Sequence, residues 1–138
     1  MSSGEGSSPA PTSPITAIVL FESFPERRLP GLNDYTRVNR RNKYQANELK
    51  QDTEELICWQ IMRTPHTDVQ VDVRFDWYEP RDSRDHDNVS FAQKFLLDAM
   101  VECEVIPDDS PKYVRHITHT FHTDSEHPRV VVTLTAVE

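Results

Sequence analysis

The sequence predicts an α+β fold: a mixed sheet of about four strands packed with two main helices. Three observations carry that expectation. Residues 69–78, VQVDVRFDWY, alternate apolar and polar side chains as a half-buried strand does. Two segments, around 34–63 and 88–103, place apolar residues at helical spacing. Two β-branched runs close the chain, with the turn-forming TDSEHP between them. The order is strand, helix, strand, helix, strand, strand, with no internal repeat.

Taken in order, residues 1–14, MSSGEGSSPAPTSP, are Ser- and Pro-rich and read as a disordered tail, because they bury too little to offset their ordering entropy. The folded domain is expected over 15–138. ITAIVLFES, residues 15–23, is β-branched and apolar and reads as a strand. PERRLPGLN is a turn-rich connector. One long helix should then run from about Asp34 to Arg63, capped by Asn33 or Asp34, with Leu49, Leu56, Ile57 and Ile61 as its apolar stripe and Pro65 ending it. Its first half, YTRVNRRNKYQ, is poor in core residues and rich in arginine. In 69–78, Val69, Val71, Val73, Phe75 and Trp77 share the inner face; Gln70, Asp72, Arg74 and Asp76 share the other. EPRDSRDHD is a charged loop, and Asn88 is a suitable cap for the helix to Cys103. IPDDSPK is a turn. Strands 113–122 and 129–137 are expected to pair as an antiparallel hairpin.

Composition narrows the partners. No apolar run is long enough for a membrane span, and no basic-then-apolar leader opens the chain. Cys58 and Cys103 sit among apolar residues and read as buried free thiols, which points to a reducing cytoplasm. The net charge of −8 argues against nucleic acid when taken alone. The distribution argues the other way. Between Glu26 and Lys50, seven basic residues (Arg27, Arg28, Arg37, Arg40, Arg41, Lys43 and Lys50) face only Glu26, Asp34 and Glu48. Such a run is either a solvated helix face or a surface for something negative.

The acids form two pairs. Asp85 and Asp87 flank one residue in RDHDN, and in an extended segment residues two apart point the same way. Asp108 and Asp109 lie in the turn after the following helix. If that helix brings the pairs together, three carboxylates with water and a phosphate oxygen suit magnesium, or manganese, and would also explain why like charges are tolerated in one place. A divalent ion there activates water and neutralises charge on a phosphodiester. Lys94 lies on the intervening helix, and its side chain should lean toward the helix N-terminus and the acids. The competing readings are ordinary: DxD is common in loops, and a helix lysine is commonly just solvated.

These residues resemble a known family. RDHDN, a helix carrying lysine and LDAM, then a DD turn and a strand, is similar to the RusA family of Holliday-junction resolvases. LPGLNDYTRVNRRNKYQ is similar to the N-terminal part of its phage-type members, and the resemblance spans roughly residues 29–120. It implies a Mg2+- or Mn2+-dependent endodeoxyribonuclease that resolves four-way or other branched DNA in recombination and repair. It assigns Asp85, Asp87 and Asp109 as metal ligands, Lys94 as the catalytic lysine and Asp108 as an auxiliary acid. It places Arg84 and Asn88, which flank the acids, among the nucleic-acid-binding residues, with Arg37, Arg40, Arg41 and Lys43 gripping backbone phosphates. A homodimer is implied too, since two opposed strands of a junction are nicked symmetrically, leaving 5′-phosphates and 3′-hydroxyls. One spacing departs from the family. Lys94 stands six residues after Asn88, where the family has about three; the difference keeps the face of a helix and moves about 4.5 Å along its axis.

His116, His119 and His122 are spaced so that on a strand His119 points opposite to the other two, which disfavours one zinc site; they read as exposed, with Ile117 and Phe121 on His119's face. His86 should point away from the flanking acids. Trp59 and Trp77 read as core. With three glycines and no phosphate loop, P-loop chemistry is improbable. Two rivals to the nuclease stand: a catalytically weak or inactive junction-binding relative, and a generic acidic structural module.

Overall fold

The computed structural model describes residues 13–137, so the tail reading falls almost entirely outside the described residues. The chain is α+β, with a four-stranded mixed sheet. In order it forms β1 (Ile15–Leu20), a short 3-10 turn (Pro25–Arg27), α1 (Leu32–Arg41), α2 (Lys43–Ile61), β2 (Val71–Glu79), α3 (His86–Ser90), α4 (Gln93–Glu102), β3 (Val114–Thr123) and β4 (Arg129–Ala136). The sheet order is β1-β4-β2-β3. β4 is antiparallel to both β1 and β2, while β2 and β3 are parallel and joined through α3 and α4.

β2 lies inside the sheet, between β4 and β3. Val71, Val73, Phe75 and Trp77 are buried and packed with Val130, Val132 and Leu134 of β4, Ala17 and Val19 of β1, and Phe95, Leu96, Ala99 and Met100 of α4. Burial of each Val, Leu, Phe or Met among these contributes roughly 1.5–3 kcal/mol. The expected hairpin of the last two strands is corrected here. β2 lies between them, so residues 124–128 bridge two strand spacings, about 10 Å. That connector crosses the end of β2, where Asp124 N–H donates to the Glu79 carbonyl at 2.8 Å. The Asp124 carboxylate then accepts from the Glu126 and His127 N–H groups, both at 3.1 Å, and builds the turn locally.

The expected single helix over 34–63 is two helices. Asn42 interrupts it in an extended conformation, and its Oδ1 accepts from Tyr44 N (2.9 Å) and Gln45 N (3.4 Å), capping α2. The buried face of α2 is Ala46, Thr53, Ile57 and Ile61, with Leu49 and Leu56 only half-buried. Similarly, the helix expected from Asn88 begins at His86 with Asp85 at its N-cap, and it is divided into α3 and α4 around Phe91 and Ala92. β1 is shorter than expected, ending at Leu20, and Val69 precedes β2 and is exposed. Trp77 is core, whereas Trp59 is 69% exposed on α2. Cys58 and Cys103 are free but half-buried rather than buried. Burial and then the neighbouring Cys103 push the Cys58 thiol up to about 12.

Asp76 was expected on the solvated face of β2 but is buried beside Arg74 (3.0 Å) and His122 (3.2 Å). No helix among the described residues is long and apolar enough to cross a membrane.

Candidate active site

The loop that leaves β2 is anchored before it reaches the acids. The Arg84 side chain is 7% exposed and donates twice to Glu79 Oε1, at 2.9 and 2.6 Å. Its Nη1 also donates to the Leu29 carbonyl at 3.2 Å. Arg84 thus joins the end of β2 to the LPGLN segment, and this internal use replaces the DNA contact expected of it. Asn88 is engaged in the same joint: its Oδ1 accepts from Asn33 N–H at 3.0 Å. The approach is so close that a Cβ on Gly31 would lie 2.3 Å from Asn88 Oδ1 and 2.6 Å from Arg84 Nη1. Glycine stands there for space, since its φ of −97° is open to any residue.

Asp34 completes the dock. Its Oδ2 accepts from the Gly31 N–H at 2.9 Å, and Arg28 and Arg37 lie 3.5 and 3.1 Å from Oδ1. Burial alone would raise the Asp34 pKa; the Gly31 N–H and the surrounding guanidinium groups outweigh it and hold the carboxyl below its ordinary value.

With α1 docked, the acids follow. Asp87 is exposed in the first turn of α3, and its Oδ1 accepts from the Asn88 N–H at 3.0 Å. On the next helix, Lys94 is exposed and enters no ion pair among the described residues. Asp109 arrives from the far end of α4. That helix ends in a Schellman turn: Glu104 N–H donates to the Val101 carbonyl (3.0 Å) and Val105 N–H to the Met100 carbonyl (2.8 Å), with Glu104 at a left-handed φ of 62°. Val105 and Ile106 are then buried, which pins the turn that presents Asp108 and Asp109 to solvent.

Asp87, Gln93, Lys94 and Asp109 line one open cleft of about 460 Å³. Asp108 and Asp85 are exposed but do not line it. The parallel aim expected of Asp85 and Asp87 needs an extended segment through both, and the helix that starts at His86 removes it. Asp85 sits at the N-cap with no capping bond from its side chain. Among the described residues, no three His, Cys, Asp or Glu side chains are grouped as metal ligands. The two carboxylates that do share the cleft offer only oxygen, which fits a hard cation. Magnesium commonly takes one or two protein carboxylates and completes its octahedron with water and substrate phosphate.

The basic run divides. Arg27 and Arg28 pair locally with Glu22 and Glu26, and Lys50 pairs with Glu54 of its own helix (2.9 Å) and ties α2 to α4 through Asp98 (3.3 Å). Arg37, Arg40, Arg41 and Lys43 remain exposed, and only Arg37 has an ion-pair partner among the described residues. α1, which carries the three arginines, rests on the cleft wall through Tyr35, whose ring lies 5.6 Å from that of Phe91.

The three histidines go separate ways. His116 is exposed, His122 bonds Asp76 and stacks on Tyr78, and His119 is half-buried against Phe75 and Trp77. His86 stacks on Phe121 at 3.9 Å. Sequence reasoning missed Gln93, which had no motif to flag it. It also missed the joint of Gly31, Arg84 and Asn88, whose one available signal was a glycine inside LPGLN. No protein-family model matches the sequence, and a comparison with curated proteins finds no match.

Proposed function

We propose that this chain is a magnesium-dependent endodeoxyribonuclease that cuts Holliday junctions and related branched DNA. One observation carries the reading: Asp87, Lys94 and Asp109, from three separate segments, line a single cleft. Asp87 and Asp109 would hold the ion. When bound, it supplies Lewis-acid activation of water and neutralises charge on the phosphodiester. The Asn88 N–H orients the Asp87 carboxylate. The Lys94 ammonium stands where charge grows on the phosphate oxygens. The exposed cations of α1 bind flanking phosphates without reading sequence. Asp85 is assigned to the ion by the resemblance alone, since it does not line the cleft. The choice of branched DNA, and the homodimer that would pair two such sites, rest on the resemblance to RusA resolvases.

A second reading is favoured by the lack of a three-carboxylate group among the described residues. In it the protein binds junctions and does not cut them. Labelled four-way junction and duplex DNA, each with and without Mg2+, separate the two. The endonuclease nicks the junction only with Mg2+. Junction binding without nicking supports the second reading, and neither binding nor nicking rejects both.

A further inference from the structure

Gln93 opens α4 one residue before Lys94 and lines the same cleft. Its amide is held in a defined orientation by a chain of donors that begins in the core. Trp77 Nε1–H donates to His119 Nδ1 at 2.9 Å. An indole N–H only donates, so Nδ1 carries no proton and the neutral ring carries it on Nε2. Nε2 lies 2.8 Å from Gln93 Oε1, so its N–H donates to the amide oxygen. The imidazole is further fixed by stacking on Phe75, with centroids 5.2 Å apart. Burial lowers the His119 pKa, which keeps the ring in the neutral form the chain needs.

The consequence is directional. With Oε1 committed to His119, the Gln93 NH2 is what remains for the cleft. Among the described residues that nitrogen has no hydrogen-bond partner. Gln93 therefore brings two neutral donors beside the Lys94 ammonium, where the proposed activity places an acceptor oxygen.

We propose that Gln93 is a substrate-contact residue that donates to a phosphodiester oxygen of DNA in the cleft, with Trp77 and His119 as positioning residues that set its amide. The proposal rests on the endonuclease reading and adds a contact to it. Hydrogen bonds to charged groups contribute about 1.5–3 kcal/mol, so losing this one should raise KM about tenfold or more.

Steady-state cleavage of a four-way junction in Mg2+ tests it, with melting temperature as the folding control. Gln93→Glu keeps an acceptor for His119 and places an anion in the cleft. Gln93→Met removes the amide without adding charge. Both are expected to raise KM about tenfold, with a smaller change in kcat. His119→Phe keeps the stacking and frees the amide, so its KM rises less; combined with Gln93→Met it should add nothing further. Should Gln93→Met fail to fold, Gln93→Glu alone decides. Wild-type KM in the folded Gln93 variants, or additive effects in the double variant, overturns the assignment while the nuclease stands. A wild-type protein that cuts no branched DNA overturns the endonuclease reading, and the Gln93 contact with it.

Discussion

Arg84 and Asp34 show how single residues hold the cleft in shape. Arg84 was expected to touch DNA, and its side chain is instead buried against Glu79 and the Leu29 carbonyl. Removing one partner of a buried pair leaves an uncompensated charge, which typically costs about 3–5 kcal/mol. Arg84→Ala is therefore expected to lower stability in urea by that order. A direct phosphate contact would instead lower junction affinity and leave stability unchanged. Asp34 gives a pH signature. Its folded pKa lies below its unfolded value, so its contribution is complete above the ordinary aspartate range and is lost as pH falls through the folded pKa. Acid denaturation should steepen below about pH 3.8, and Asn at this position should flatten that limb. An unchanged acid limb in Asp34→Asn would count against the dock.

At the scale of elements, the strained end of α4 decides where Asp109 stands. Glu104 adopts the left-handed conformation that glycine usually supplies at a Schellman turn. Glu104→Gly should stabilise the fold by about 1 kcal/mol without altering cleavage, because the left-handed region costs a residue with a Cβ roughly that much. A lower melting temperature would show that the Glu104 side chain contributes more than its backbone costs. The elements also show what was legible in advance. The β2 alternation was readable because burial on one face writes a period of two into the residues. The α1–α2 break was not read, although Asn42 is a strong capping residue, because no apolar boundary accompanies it. The final strands were read as a hairpin because adjacency in the chain suggests pairing. The insertion of β2 between them is a tertiary preference that short-range turn signals do not encode. Asp87, Lys94 and Asp109 were identified by motif, and their shared cleft depends on α3, α4 and the Schellman turn. Asp85 was expected beside Asp87 on the premise of an extended segment, which the helix start at His86 removes. Trp59 was misread because helical spacing marks a stripe but not how much of it the sheet can cover.

At the scale of the whole molecule, the proposed activity requires a chain of net charge −8 to hold a polyanion. Segregation of charge would allow it: Arg37, Arg40 and Arg41 are exposed along α1, which rests against the cleft wall, and Lys43 is exposed at the start of α2. Replacing Arg40, Arg41 and Lys43 with Gln should weaken junction binding and reduce the slope of log K against log salt by up to about 2.7, at roughly 0.9 per phosphate contact. An unchanged slope would place the DNA on another face. The central claim is that Asp87 and Asp109 act as a unit on one ion. The most direct measurement is the single-turnover rate of junction nicking in Mg2+ for Asp87→Asn, Asp109→Asn and the double variant, each folded by circular dichroism. Residues that act as a unit are non-additive, so each single variant should lose nearly as much rate as the pair. Single variants that nick at the wild-type rate, or whose losses multiply in the double variant, would contradict it.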